Sequence, residues 1–107
     1  MSALDEFLLA RIAEDEHHAR AARGWQTGDR HVGQPLDYSI HMDRWSPDRV
    51  LAECAAKRAI VQLHTPVDDQ PDGWCNLCDG DGWPCGTMAA LATVYAGHPD
   101  YDESWRP

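Results

Sequence analysis

No apolar run in this sequence is long enough to span a bilayer, which excludes a transmembrane helix. No secretory leader opens it either, since Met1-Ser2-Ala3-Leu4-Asp5-Glu6 is acidic and helix-forming. A cytoplasmic, reducing location is therefore the expectation. Clustered cysteines in such a compartment serve more often as metal ligands than as disulfides. Positive charge is scarce in the second half: residues 59–107 carry only Arg106 against eight acids, a balance of −7. Residues 1–58 carry eight Lys/Arg against ten acids, a balance of −2. Docking on nucleic acid requires neutralising phosphates with Lys/Arg, so the acidic half is disfavoured as a direct nucleic-acid surface. Several catalytic signatures are missing as well. There is no His-Glu-x-x-His, no His-x-Glu ahead of a Pro-Cys-x-x-Cys pair, no Gly-rich phosphate loop and no nucleophile elbow. Metalloprotease, zinc deaminase, nucleotide and Ser-hydrolase chemistry thus have no support.

What is present is a cysteine knuckle. Trp74-Cys75-Asn76-Leu77-Cys78-Asp79-Gly80-Asp81-Gly82-Trp83-Pro84-Cys85 places three of the four cysteines as Cys-x2-Cys-x6-Cys. A soft, tetrahedral ion needs several thiolates converging from a tight turn, and this spacing supplies them. The glycines let the chain turn back sharply after the second cysteine. Two Asp-Gly turns each lead to a tryptophan and then a cysteine, so Trp74 and Trp83 are candidate lids over either side of the ion. The plainer alternative is two turns followed by aromatics. At 107 residues the chain has room for one core, and burying about two-thirds of its unfolded surface leaves a margin that a metal staple would widen.

The expected organisation is a mostly α, three-helix domain over 1–107, with a zinc knuckle between helices 2 and 3. The first helix spans 3–23, capped by Ser2 with Asp5 answering it, and buries Leu4, Phe7, Leu8 and Ile12. His17 and His18, adjacent rather than four apart, read as solvated. Residues 24–45 read as loop, with a possible short strand pair in 25–45. Gln34–Met42 partly alternates and is either a strand or an irregular lead-in. Trp25 and Trp45 are expected to pack across the first two helices. The second helix, 47–64, has Ser46 as N-cap and Pro47 at the first helical position. Val50, Leu51, Cys54, Ala55, Ile60, Val61 and Leu63 form its expected buried face, with Lys57 and Arg58 on the wetter side. The knuckle occupies 65–86. A short helix follows over 87–96 with Thr87 as a possible cap, and an aromatic tail over 97–107 folds back to bury Tyr101 and Trp105.

Three cysteines need a fourth ligand, and the candidates are His64, His98 and Cys54. His64 ends the second helix eleven positions before Cys75, so a loop can bring it to the knuckle. His98 lies thirteen residues past Cys85 across a helix, a separation well over ~10 Å at about 1.5 Å per residue. Cys54 sits mid-helix among apolar residues, where cysteine behaves as a small hydrophobe. The preferred set is His64, Cys75, Cys78 and Cys85 on structural zinc, with His98 and Cys54 as alternatives. An iron–sulfur cluster using all four cysteines is the less favoured cofactor. A redox pair is disfavoured because Asp-Gly-Asp-Gly, rather than a helix, follows Cys78.

Three resemblances bear on this. The four cysteines loosely resemble WhiB-type actinobacterial regulators, whose basic DNA-binding tail this acidic C-terminus lacks. Cys75–Gly82 is similar to one Cys-x2-Cys-x-Gly-x-Gly unit of the DnaJ cysteine-rich domain, which pairs such units where this chain has one. A resemblance over almost the whole chain rests on four stretches. These are Leu4-Asp5-Glu6-Phe7-Leu8-Leu9-Ala10-Arg11-Ile12-Ala13-Glu14-Asp15-Glu16, Pro47-Asp48-Arg49-Val50-Leu51-Ala52-Glu53 through Ala56–His64, the knuckle, and Tyr95-Ala96-Gly97-His98-Pro99-Asp100-Tyr101 with Trp105. On these the chain resembles a family of small uncharacterised actinobacterial and actinophage proteins, a domain of unknown function. The resemblance implies source and architecture and no activity. Its pattern includes both His64 and His98. Gly86 departs from it, where the family often has Pro.

The function expected from these residues is a non-enzymatic protein-interaction module with an unidentified protein partner, a phage or actinobacterial regulatory or effector protein. One alternative is an iron–sulfur or zinc transcription-regulator-like protein, with a modest basic face at Arg44, Arg49, Lys57 and Arg58. A further alternative is a zinc-dependent hydrolase, which requires an open coordination position.

Overall fold

In a computed structural model of the chain, the described residues are 2–23, 36–64, 75, 77–78 and 84–107. Among them the protein is helical. The elements are α1 (Ala3–Arg23), α2 (Leu36–Arg44), α3 (Pro47–Leu63) and α4 (Gly86–Ala92), followed by 3-10 turns at Thr93–Tyr95 and Glu103–Trp105. Four α-helices thus stand where three were expected. No helix among the described residues is long and apolar enough to cross a membrane.

The start of α1 is fixed by a reciprocal cap. The Asp5 N–H donates to Ser2 Oγ at 3.1 Å, and the Ser2 N–H donates to Asp5 Oδ2 at 3.3 Å. This satisfies backbone donors that the first turn would otherwise leave open. Leu4, Phe7, Leu8, Ile12 and Ala19 then follow at helical spacing and are buried. Their opposite number is α3, which runs antiparallel to α1: Arg23 pairs with Asp48 at 2.9 Å, and Glu16 pairs with Arg58 at 2.5 Å. Cys54 and Val61 of α3 join Met88 and Ala92 of α4, with Cys75, Cys85 and Tyr101, in one core with the α1 stripe. Full burial of an aliphatic side chain such as Leu8 or Ile12 stabilises the fold by about 1.5–3 kcal/mol each.

The capping expected for α3 is present, with Ser46 Oγ accepting from the Arg49 N–H at 3.3 Å and Pro47 in the first turn. The helix ends at Leu63, and His64 is its C-cap residue, whose N–H donates to the Ile60 carbonyl at 3.0 Å. The buried face is narrower than expected. Ala55 is exposed and Leu63 is 57% exposed, because Leu63 lies two positions past Val61, about 200° further round the helix. Lys57 and Arg58 are not on the wet side either. Acids on the facing side of α1 draw them inward, Arg58 to Glu16 and Lys57 to the Tyr95 hydroxyl at 3.4 Å, which donates to Asp15 at 2.9 Å.

The short strand considered for Gln34–Met42 is overturned over 36–42, which belongs to α2; the remainder of the proposed pair, 25–35, lies outside the described residues. Leu36, Tyr38, Ile40 and Met42 mimic a period of two. A helix meets its backbone hydrogen bonds locally and needs no partner strand, and the Trp45 N–H extends the turn to the His41 carbonyl at 2.9 Å. Trp45 does not pack across helices. It is 47% exposed, with the Arg49 guanidinium 4.5 Å above its ring. Trp25 lies outside the described residues.

The last helix also differs from expectation. Its α-helical part stops at Ala92 and tightens into a 3-10 turn through Tyr95, and Cys85, not Thr87, is its N-cap. Tightening of this kind is common where a helix must end, here just before Gly97 and Pro99. The tail returns to α1 through Phe7, whose ring centre lies 5.1 Å from Trp105, 6.1 Å from Tyr101, 5.7 Å from His98 and 6.3 Å from Tyr95.

Candidate metal centre

Two helix ends meet at one point. His64, the C-cap of α3, and Cys85, the N-cap of α4, face each other, and Cys75 and Cys78 complete the group. Each of the four offers one donor atom, and all four atoms lie within 4.8 Å of one another. His64 Nδ1 is 3.4 Å from Cys75 Sγ, 3.4 Å from Cys78 Sγ and 3.6 Å from Cys85 Sγ. A tetrahedral ion with bonds of about 2.3 Å to sulfur and ~2.0–2.1 Å to nitrogen requires nitrogen–sulfur separations of about 3.6 Å. The donor set therefore fits zinc in both chemistry and spacing. Cys75 and Cys85 are 4% and 1% exposed and His64 is 9% exposed, so the centre is closed on most sides, with Cys78 its more open member.

The electrostatics of the three thiols are unequal. For Cys75, burial pushes the thiol up, but the Leu77 and Cys78 backbone N–H groups and His64 outweigh it and bring it down to about 7. Cys78 is pushed up to about 12 by burial and by the sulfurs of Cys75 and Cys85 facing it. Cys85 is also raised, chiefly by burial and in part by Cys75, against the Met88 backbone N–H. Without a cation the cluster favours one thiolate and resists two more. A divalent ion inverts that balance and holds all three sulfurs ionised.

The alternative ligands lie elsewhere. Cys54 stands outside the four-residue group, buried in the core, its thiol raised by burial and then by Asp15. His98 is held by Arg11, whose Nη1 is 2.9 Å from its Nδ1, while the Asp100 N–H donates to the same nitrogen at 3.0 Å. His17, His18 and His41 are exposed. Trp74 and Trp83, the suggested lids, and His31 lie outside the described residues. Sequence reasoning missed that Cys85 caps α4. The only trace is Pro84 just before it, since cysteine is not a favoured cap residue. It also missed the Asp15–Tyr95–Lys57 chain, for which three residues on three elements leave no local signal.

The chain matches the Family of unknown function (DUF6221) over residues 1–107 and belongs to that family. No curated protein and no solved structure matches it.

Proposed function

We propose that the protein is a small interaction module whose fold is tied by one structural zinc ion at His64, Cys75, Cys78 and Cys85. The observation that carries this is the convergence of one nitrogen and three sulfurs within 4.8 Å at the meeting of two helix ends. Four protein donors fill a tetrahedral shell and leave no position for substrate or water, which favours a structural over a catalytic role. His64 would tie the end of α3, Cys85 the start of α4, and Cys75 and Cys78 the segment of chain between them. The bound ion would supply charge and geometry, with no reaction of its own.

The partner we infer is another protein, met in the cytoplasm, where thiols stay reduced. The acidic balance of residues 59–107 speaks against direct binding to nucleic acid. Leu63 and Leu77, 57% and 56% exposed near the centre, are the apolar side chains such contact would use. The resemblance to actinobacterial and actinophage proteins makes a regulatory or effector role in that setting the reading to pursue.

The test is native mass spectrometry with visible absorption on the untagged chain, for wild type, His64→Ala and His98→Ala. One zinc per colourless chain, weakened by His64→Ala and not by His98→Ala, is the expected result. A brown protein whose colour requires Cys54 would replace zinc by an iron–sulfur cluster. Zinc held at full affinity in both histidine variants would open a coordination position and bring hydrolysis forward.

A further inference from the structure

We propose that Cys78 is the oxidant-sensitive sulfur of this centre, at which a hydroperoxide opens the tie between α3 and α4 by forming a Cys75–Cys78 disulfide. The inference rests on the zinc reading above and adds a modification site to it. Its first support is an inequality among the three sulfurs. Cys75 and Cys85 are 4% and 1% exposed, whereas Cys78 is partly open and follows Leu77, which is 56% exposed. A metal-held sulfur is a thiolate, the nucleophilic form, and oxidation follows thiolate character together with access. Cys78 combines both.

The second support is the position of the resolving sulfur. Cys75 and Cys85 both have Sγ within 4.8 Å of Cys78 Sγ. Cys75 is three residues away in the same knuckle, so bridging it moves no helix. Cys85 caps α4, and its carbonyl accepts from the Ala89 N–H at 2.9 Å. Drawing Cys85 toward Cys78 would pull on the first turn of that helix. The fourth cysteine, Cys54, is 1% exposed in the core and lies outside the cluster.

The chemistry balances. The Cys78 thiolate attacks the terminal peroxide oxygen, a sulfur–oxygen bond forms, the oxygen–oxygen bond breaks, and hydroxide leaves from hydrogen peroxide or an alkoxide from an organic hydroperoxide. The sulfur is oxidised by two electrons and the peroxide is reduced. The Cys75 thiolate then attacks the Cys78 sulfur, the disulfide forms, and hydroxide leaves. Two donors remain, His64 and Cys85, and the zinc ion is released with the link between the two helix ends. Thiol reductants reverse the disulfide, so the change is a switch rather than damage.

The experiment treats the zinc-loaded full chain with hydrogen peroxide, follows zinc release with a chromogenic chelator, and maps oxidised cysteines by differential alkylation and mass spectrometry. The expected result is one zinc released per Cys75–Cys78 disulfide, with zinc rebinding after reduction. Cys78→His keeps four donors while removing the reactive sulfur, and should lose zinc to peroxide at least about tenfold more slowly. Early oxidation mapped to Cys85 or Cys54, or release from Cys78→His at the wild-type rate, would overturn the proposal. If Cys78→His fails to load zinc, the wild-type map decides alone. A chain that never binds zinc refutes both the zinc reading and this one, while a zinc-loaded chain that resists peroxide refutes only this one.

Discussion

Along α1 and α3, cohesion is spread over Leu4, Leu8, Ile12, Cys54 and Val61, with the Glu16–Arg58 and Arg23–Asp48 pairs beside them. Where α3 meets α4, it is gathered on four donor atoms within 4.8 Å. The first arrangement weakens by increments, because each apolar side chain contributes a small, separate share. The second would be closer to all-or-none, since a metal ion held there would draw on all four donors at once, and its binding energy would be folding energy for whatever it joins. A short helix such as α4, seven residues long, cannot persist alone in water, so it depends on that junction and on the core it reaches through Met88 and Ala92.

The largest effect should come from removing the metal. Saturating zinc, at a free concentration about a thousandfold above Kd, stabilises the loaded chain by about 4 kcal/mol. That corresponds to a Tm shift of roughly 15–30 °C in a domain of this size. We expect chelation to reverse it, with amides of 86–96 losing hydrogen-exchange protection before those of α1. Equal, simultaneous loss in both regions would mean that the junction and the helix pair form one cooperative unit. The reciprocal break is Ile12→Ala. Ile12 is 0% exposed, so its truncation should cost about 2–5 kcal/mol by urea denaturation. Zinc stoichiometry should stay at one per chain, and a loss of zinc in this variant would erase the distinction between the regions.

A smaller effect separates the two regions by pH. The Cys78 and Cys85 thiols are raised and Cys75 is lowered to about 7, so zinc must displace the protons of Cys78 and Cys85 at any pH near neutrality. Below about 7 it must displace that of Cys75 too. We expect the three thiols to give up about two protons per zinc at pH 8 and nearer three at pH 6, so affinity falls as pH falls. Calorimetry in buffers of different ionisation enthalpy measures this directly. In the metal-free chain the sign for Cys75 agrees. Its folded value lies below its ordinary one, so the stability it contributes is present at high pH and fades as pH falls through about 7.

How much of this could be read from the sequence follows the same division. Periodic features were legible: the stripe Leu4–Phe7–Leu8–Ile12 and the caps at Ser2 and Ser46 are local, and the structure has α1 at Ala3–Arg23 and α3 at Pro47–Leu63. The grouping of His64 with the three cysteines was legible because loop length and helix geometry left His98 too far away. Features that depend on a second element were not. The inward turn of Lys57 and Arg58 requires knowing that Asp15 and Glu16 face them. The helix at Leu36–Arg44 was hidden by alternation in a segment too short for either period to prevail.

Tyr95 is one place where the two regions touch through hydrogen bonds, and it offers the mildest test. It lies just past α4, yet its hydroxyl donates to Asp15 of α1 at 2.9 Å and accepts from Lys57 of α3 at 3.4 Å. Burial, and next the bond to Asp15, push the phenol well above its usual range, so it stays a donor at any working pH. Tyr95→Phe deletes that donor and keeps the ring against Phe7, and should cost about 1 kcal/mol, the net worth of one such bond. A double-mutant cycle with Asp15→Asn separates the bond from the burial. If the link acts independently of the metal, the coupling energy will be the same in zinc-loaded and chelated protein. A coupling that vanishes on chelation would place Tyr95 under control of the centre, because only a docked α4 can hold the hydroxyl within reach of Asp15.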